Sequence, residues 1–91
     1  MTIWKIEERQ NHLGGDGEYT VTWTDYATSR RRAERYVESM LTGRIASGRL
    51  LPNPRGLAVQ DLWRATTSEL PGTRELRWGL THWCLTPYET I

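Results

Sequence analysis

Arginine is concentrated in the middle of this chain, and it is the residue type best suited to binding anions. Residues 30–55 hold seven arginines and two acids, a formal charge of +5 in a chain whose total is +1. Residues 1–29 sum to −3 and residues 56–91 to −1. Guanidinium groups hold phosphates and carboxylates through paired N–H donors. The candidate residues for binding an anionic partner are Arg30, Arg31, Arg32, Arg35, Arg44, Arg49 and Arg55.

The run Arg30-Arg31-Arg32 lies at the predicted first turn of a helix. Cations there are disfavoured by up to about 1 kcal/mol each, because the helix dipole is positive at this end. One interpretation is an anion site built from the dipole, the free N–H groups and the guanidinium groups. The other is local pairing with Asp25 and Glu34. The three later arginines suit contacts to a nucleic-acid backbone, or they serve only to solubilise a loop.

Residues for other chemistry are few. His12, His82 and Cys84 are the soft metal ligands of the sequence, and His82 and Cys84 share a predicted strand face. Two ligands do not make a zinc site, so we expect neither a metal nor a cofactor. The sequence lacks a nucleophile elbow and a Gly-rich phosphate loop. The candidate acids Asp25, Asp61 and Glu69 are scattered, and we predict that the protein is not an enzyme.

The aromatic residues are five Trp and four Tyr, with no Phe. An exposed Trp or Tyr would mark a protein interface or a platform for stacking bases. The alternative is that they all belong to the core. Trp4, Trp83 and Tyr88 are the candidate interface aromatics.

Two strands and a hairpin loop are predicted at the start of the chain. Residues 18–24 alternate in the manner of a half-buried strand, with Tyr19, Val21 and Trp23 on one face. Residues 3–9 form a shorter partner. The glycines between these segments predict the connecting hairpin loop.

A helix is predicted over about residues 29–43. Its apolar stripe is formed by Ala33, Tyr36, Val37, Met40 and Leu41. The candidate N-caps are Asp25, Thr28 and Ser29, and Gly43 is a natural stop. Residues 43–56 are predicted to be a loop because three glycines and two prolines oppose regular structure.

The last third of the sequence fits either strand or helical periodicity. We favour two strands, at about residues 57–66 and 75–85, joined by a turn at residues 69–73. Gly79 would then mark a bulge or a close approach of the backbone. The resulting prediction is an α+β fold, an antiparallel sheet with one helix packed on one face, in the order β-β-α-β-β.

Length and composition place limits on the class of protein. Ninety-one residues predict a single domain over 1–91. A single cysteine cannot form an internal disulfide, which favours a reducing, cytoplasmic location. We expect no signal peptide, no membrane span and no membrane partner. The calculated pI of about 7.9 is low for a dedicated DNA-binding domain.

The sequence leads to two functional hypotheses. The first is a small non-catalytic binding protein whose basic helix start and following Arg-rich loop dock on nucleic acid or on a nucleic-acid-handling protein. The second is a compact inhibitor or adaptor, of the kind found in phages and mobile elements, that masks a surface of a larger protein complex through Trp, Tyr and Arg contacts. A homodimer is compatible with either.

Overall fold

In the computed structural model, the described residues are 1–15, 17–52, 56, 58–66 and 70–90. They form five strands, one α-helix and one 3₁₀ helix at Val59–Leu62. The strands are β1 (Thr2–Asn11), β2 (Tyr19–Ala27), β3 (Arg64–Ala65), β4 (Arg74–Trp78) and β5 (Thr81–Glu89), and the helix is α1 (Arg30–Ala46). The fold is therefore α+β, as predicted, but its order is β-β-α-β-β-β.

The strands form one antiparallel sheet in the order β2-β1-β5-β4-β3. The first and last strands lie at its centre, and β1 pairs with β5 from Thr2–Glu89 to Gln10–Thr81. The strand β2 forms one outer edge along nine residues, whereas the other edge, β3, has only two. A long exposed edge offers unpaired backbone groups to another chain, and β2 is the edge of this kind.

The helix α1 covers one face of this sheet. Ala33, Val37 and Leu41 are fully buried, whereas Tyr36 is 49% exposed. The apolar stripe is thus narrower than predicted, because Tyr36 stacks on Trp23 at the margin of the core with 5.5 Å between ring centroids. The buried apolar core is formed by Ile6, Ala33, Val37, Leu41, Trp63, Leu76, Trp83 and Leu85.

The ends of α1 are set by local hydrogen bonds. Ser29 is the N-cap, since its hydroxyl accepts from the Arg32 backbone N–H at 3.2 Å. The predicted stop at Gly43 is wrong, and the first four residues of the predicted 43–56 loop are helical. Gly48, at φ +77°, ends the helix in a Schellman motif, in which the Arg49 N–H reaches the Arg44 carbonyl at 2.8 Å.

The predicted common face of Tyr19, Val21 and Trp23 is wrong because β2 contains a bulge. Glu8 pairs with Trp23 but Arg9 pairs with Val21, which leaves one extra residue in β2. An extra residue reverses the alternation of the faces. Trp23 therefore packs under the helix, while Tyr19 and Val21 lie on the opposite, helix-free face, which we call the open face.

The predicted strands at 57–66 and 75–85 are also corrected. The first is mainly the 3₁₀ helix, and only Arg64–Ala65 is strand. The second is a hairpin, with Gly79 at φ +62° as the first residue of a two-residue turn between β4 and β5. The predicted turn is confirmed within residues 70–73, where Thr73 N–H donates to the Leu70 carbonyl. Glu69 lies outside the described residues.

Candidate functional site

The run Arg30-Arg31-Arg32 occupies the first turn of α1, as predicted, and this turn contains no acid. Ser29 satisfies one of the N–H groups at the start of the helix. The positive end of the helix dipole and the arginines therefore lie on the same part of the surface.

Both acids of the helix are already engaged by other groups. The Glu34 carboxylate lies 3.5 Å from Arg30 Nε and 3.7 Å from Arg74 Nε. The Glu38 carboxylate accepts a 2.8 Å hydrogen bond from the indole N–H of the buried Trp63. Among the described residues, neither carboxylate forms an ion pair with another arginine of α1.

Three further arginines in the first half of α1 have no acidic partner among the described residues. We call these residues, Arg31, Arg32 and Arg35, the arginine ridge. All three are exposed. Within the described part of the chain, no hydrogen bond or ion pair engages their guanidinium groups. Arg32 and Arg35 also line a shallow groove together with Tyr36, Ser39 and Met40. The ridge thus places three available cations beside an exposed aromatic ring.

Arg44 has a different environment although it belongs to the same helix. Its Nη2 lies 2.5 Å from Oε1 of Glu8, a carboxylate that is only 8% exposed. Glu8 also accepts from the Trp83 indole at 3.0 Å and from the Thr22 hydroxyl at 2.8 Å. Arg44 is therefore the counterion of a buried carboxylate, and we leave it out of the proposed binding surface.

The remaining predicted arginines are not gathered at the ridge. Arg49 is exposed but follows the C-terminal end of α1, more than about 20 Å along the helix from Arg31 at 1.5 Å per residue. Arg55 lies outside the described residues. The structure thus brings Arg30 and the ridge together and separates them from Arg44 and Arg49.

The candidate interface aromatics have three different environments. Trp83 is fully buried, so its prediction as an interface residue is wrong. Trp4 is partly buried against the core, and Tyr88 is 43% exposed at the end of β5. The burial of Trp83 follows from the central position of β5, which depends on the pairing of β5 with β1.

The open face carries charges that are paired with one another. Arg9 donates to Glu7 through Nε at 3.0 Å and through Nη2 at 2.6 Å, and Lys5 Nζ lies 3.4 Å from the same carboxylate. Burial alone would raise the pKa of Glu7, but the Arg9 hydrogen bond and the two positive charges outweigh it and lower that pKa below 4.5. The Glu7 charge in turn raises the pKa of Lys5.

A second cluster on the open face was missed by sequence reasoning. Candidate ligand atoms of Glu75, His82 and Cys84 all lie within 4.8 Å of one another. The sequence suggested His82 and Cys84, but Glu75 joins them only because β4 and β5 form a hairpin. Gly79, flanked by alternating segments, was the signal for that turn.

Comparisons of the chain with protein-family models, curated proteins and solved structures find no match. None of the helices formed by the described residues has the length and hydrophobicity needed to span a bilayer.

Proposed function

We propose that this protein is a small non-catalytic binding protein that docks on an anionic partner through the first turns of α1. Nucleic acid, or a protein that handles nucleic acid, is the partner whose chemistry fits best. The observation that carries the proposal is the availability of the arginine ridge: Arg31, Arg32 and Arg35 are exposed, while both acids of the helix are engaged elsewhere.

The position of the ridge favours an anion over an ordinary charged surface. Arginines in the first turn lower the stability of the helix, and the ion pairs that would offset this cost are made by Arg30 alone. A bound phosphate or carboxylate would interact with the guanidinium groups and with the positive end of the helix dipole at the same time.

A mobility-shift experiment with purified protein tests this proposal. The probes are random duplex DNA, single-stranded DNA and a structured RNA, each at about 50 and 200 mM salt. We expect a shift at the lower salt that weakens strongly at the higher, because phosphate contacts release counterions. If no probe is shifted at either salt concentration, nucleic-acid binding is contradicted.

The second candidate function is the compact inhibitor or adaptor that covers a surface of another protein. The observation in its favour is the groove beside the ridge, where Tyr36 and Met40 accompany Arg32 and Arg35. Tyrosine and arginine are enriched at the centres of protein interfaces. Binding of this kind would depend less on salt and would fall sharply in Tyr36→Ala, whereas a phosphate-binding ridge would retain most of its affinity in that variant.

A further inference from the structure

We propose that Glu75, His82 and Cys84 bind one divalent transition-metal ion of the zinc type on the open face of the sheet. A carboxylate oxygen, an imidazole nitrogen and a thiol sulfur of these residues lie within 4.8 Å of one another. A tetrahedral zinc ion holds its ligand atoms about 3.3–3.7 Å apart, as its bond lengths require. Side-chain rotations that move the ligand atoms by about 1 Å would therefore bring all three within bonding distance of one ion.

The backbone positions these residues before any ion binds. In the β4–β5 hairpin, Glu75 is directly opposite Cys84, and Arg77 is opposite His82. His82 and Cys84 are two residues apart on one strand, so they share a face. All three candidate ligands thus project from the centre of the sheet, where the pairing of β1, β5 and β4 restrains the backbone on both sides of β5.

A neighbouring side-chain amide orients the ring of His82. The amide nitrogen Nδ2 of Asn11 lies 2.8 Å from His82 Nδ1. Metal-bound histidines commonly donate their second ring N–H to an oxygen of a neighbouring group, which fixes the ring. A flip of the Asn11 amide would turn its oxygen toward His82, and Nδ1 could then donate its N–H to that oxygen when the ion is bound.

The ligand types and charges select the class of ion. Thiolate and imidazole favour zinc-type ions over magnesium and calcium. On binding, the Cys84 thiol would lose its proton to solvent and form the metal–sulfur bond, so that thiolate and carboxylate together balance the two charges of the ion. The nearby Arg9 is held by Glu7 at 2.6 Å, which limits its repulsion of a cation, whereas Arg77 would give up its 2.9 Å contact with Glu75.

Burial separates this cluster from a chance grouping of surface residues. His82 is 3% exposed and Cys84 is 1% exposed, while Glu75 is partly exposed and pairs with the exposed Arg77. An ion would enter by displacement of the Glu75 and Arg77 side chains. Three protein ligands would leave a fourth position for water.

Titration of the reduced protein with cobalt(II), in the absence of oxygen, tests the proposal directly. Cys84 is the only cysteine in the chain, so a sulfur-to-cobalt charge-transfer band can arise only from this residue. We expect that band at one cobalt per chain, release of a proton, and displacement of the cobalt by zinc. No band, or one cobalt per two chains, would overturn the proposal.

Variants of the three residues and one matched control complete the test. Cys84→Ser should abolish the band, and Glu75→Gln and His82→Ala should each weaken cobalt binding at least about tenfold. His12→Ala removes the other histidine, which lies beside Glu18 near the hairpin loop, and should bind as the wild type does. Unchanged affinity in Glu75→Gln, a partly exposed position whose substitution preserves shape, would overturn the proposed ligand set even if the other two variants fail to fold.

Discussion

The arginine ridge and the open face of the sheet both carry several cations, but only the ridge leaves them available. On the open face, Lys5 and Arg9 contact Glu7, and Arg77 contacts Glu75. Arg64, opposite Glu75 in β3, donates to backbone carbonyls of Asp61 and Trp63. On the ridge, the guanidinium groups of the three arginines have no such partner within the described part of the chain. We therefore expect ion pairing, and not the number of charges, to decide which basic surface takes up a partner's charge.

The same contrast exists within α1. Arg44 neutralises the buried Glu8, whereas Arg31 projects into solvent. In the sequence, these two arginines contribute equally to the formal charge of +5 in residues 30–55. Substitution of Arg44 should therefore affect stability, and substitution of Arg31 should affect binding.

Arg44→Ala should lower the free energy of unfolding by about 1–3 kcal/mol, because the buried Glu8 would lose its ion-pair partner. Urea denaturation at neutral pH measures this change. Arg35→Ala is the matched control, an identical substitution on the same helix, and should change stability by less than about 0.5 kcal/mol. Equal stability of the two variants would contradict the role assigned to Arg44.

Glu7→Gln should lower stability at pH 7 by roughly 1–2 kcal/mol through loss of the charge-assisted Arg9 contact. The pKa of Glu7 is lowered in the folded protein, so its contribution is fully present above the ordinary value of 4.5 and is lost as the pH falls through the folded value. The unfolding free energies of the wild type and the variant should therefore become equal in strong acid. A difference that is independent of pH from neutral to strongly acidic solution would contradict the paired state of Glu7.

Arg32→Glu should raise stability by about 0.5–1 kcal/mol, the smallest of these effects on folding. The substitution completes a capping box with Ser29, which already accepts from the backbone N–H of residue 32, and places an acid at the positive end of the dipole. Arg49→Glu, beyond the other end of α1, should be neutral or slightly destabilising. Thermal unfolding measures both, and a less stable Arg32→Glu would show that the arginine contributes to folding.

Strong local signals predicted much of the fold. Alternation in residues 18–24, the glycines before them and the apolar stripe of α1 predicted the first hairpin and the helix. The errors arose where contacts between distant residues decide the structure. At the bulge of β2, Thr22 hydrogen-bonds to Glu8, and no local sequence pattern shows that β2 has one residue more than its partner strand. Likewise, periodicity in residues 75–85 continued through Gly79 and concealed a turn.

The sequence predicted which arginines lie near the start of α1, but not which of them have ion-pair partners in the folded protein. Arg30, Arg31 and Arg32 were correctly placed at the helix start by the cap and the stripe. The partners of Arg44 and Glu34 are Glu8 and Arg74, which are far away in sequence and reach the helix only through the sheet. The same is true of Glu75 beside His82 and Cys84.

The most direct test of the ridge as an anion-binding surface is the salt dependence of nucleic-acid affinity in two matched double variants. R31A/R32A removes two ridge arginines, and R64A/R77A removes two exposed arginines of β3 and β4, so both lose the same net charge. We predict that the slope of log affinity against log salt becomes shallower by about 1.8 in R31A/R32A and is unchanged in R64A/R77A. Equal slopes in the two variants would contradict the account, because binding would then depend on overall charge and not on the ridge.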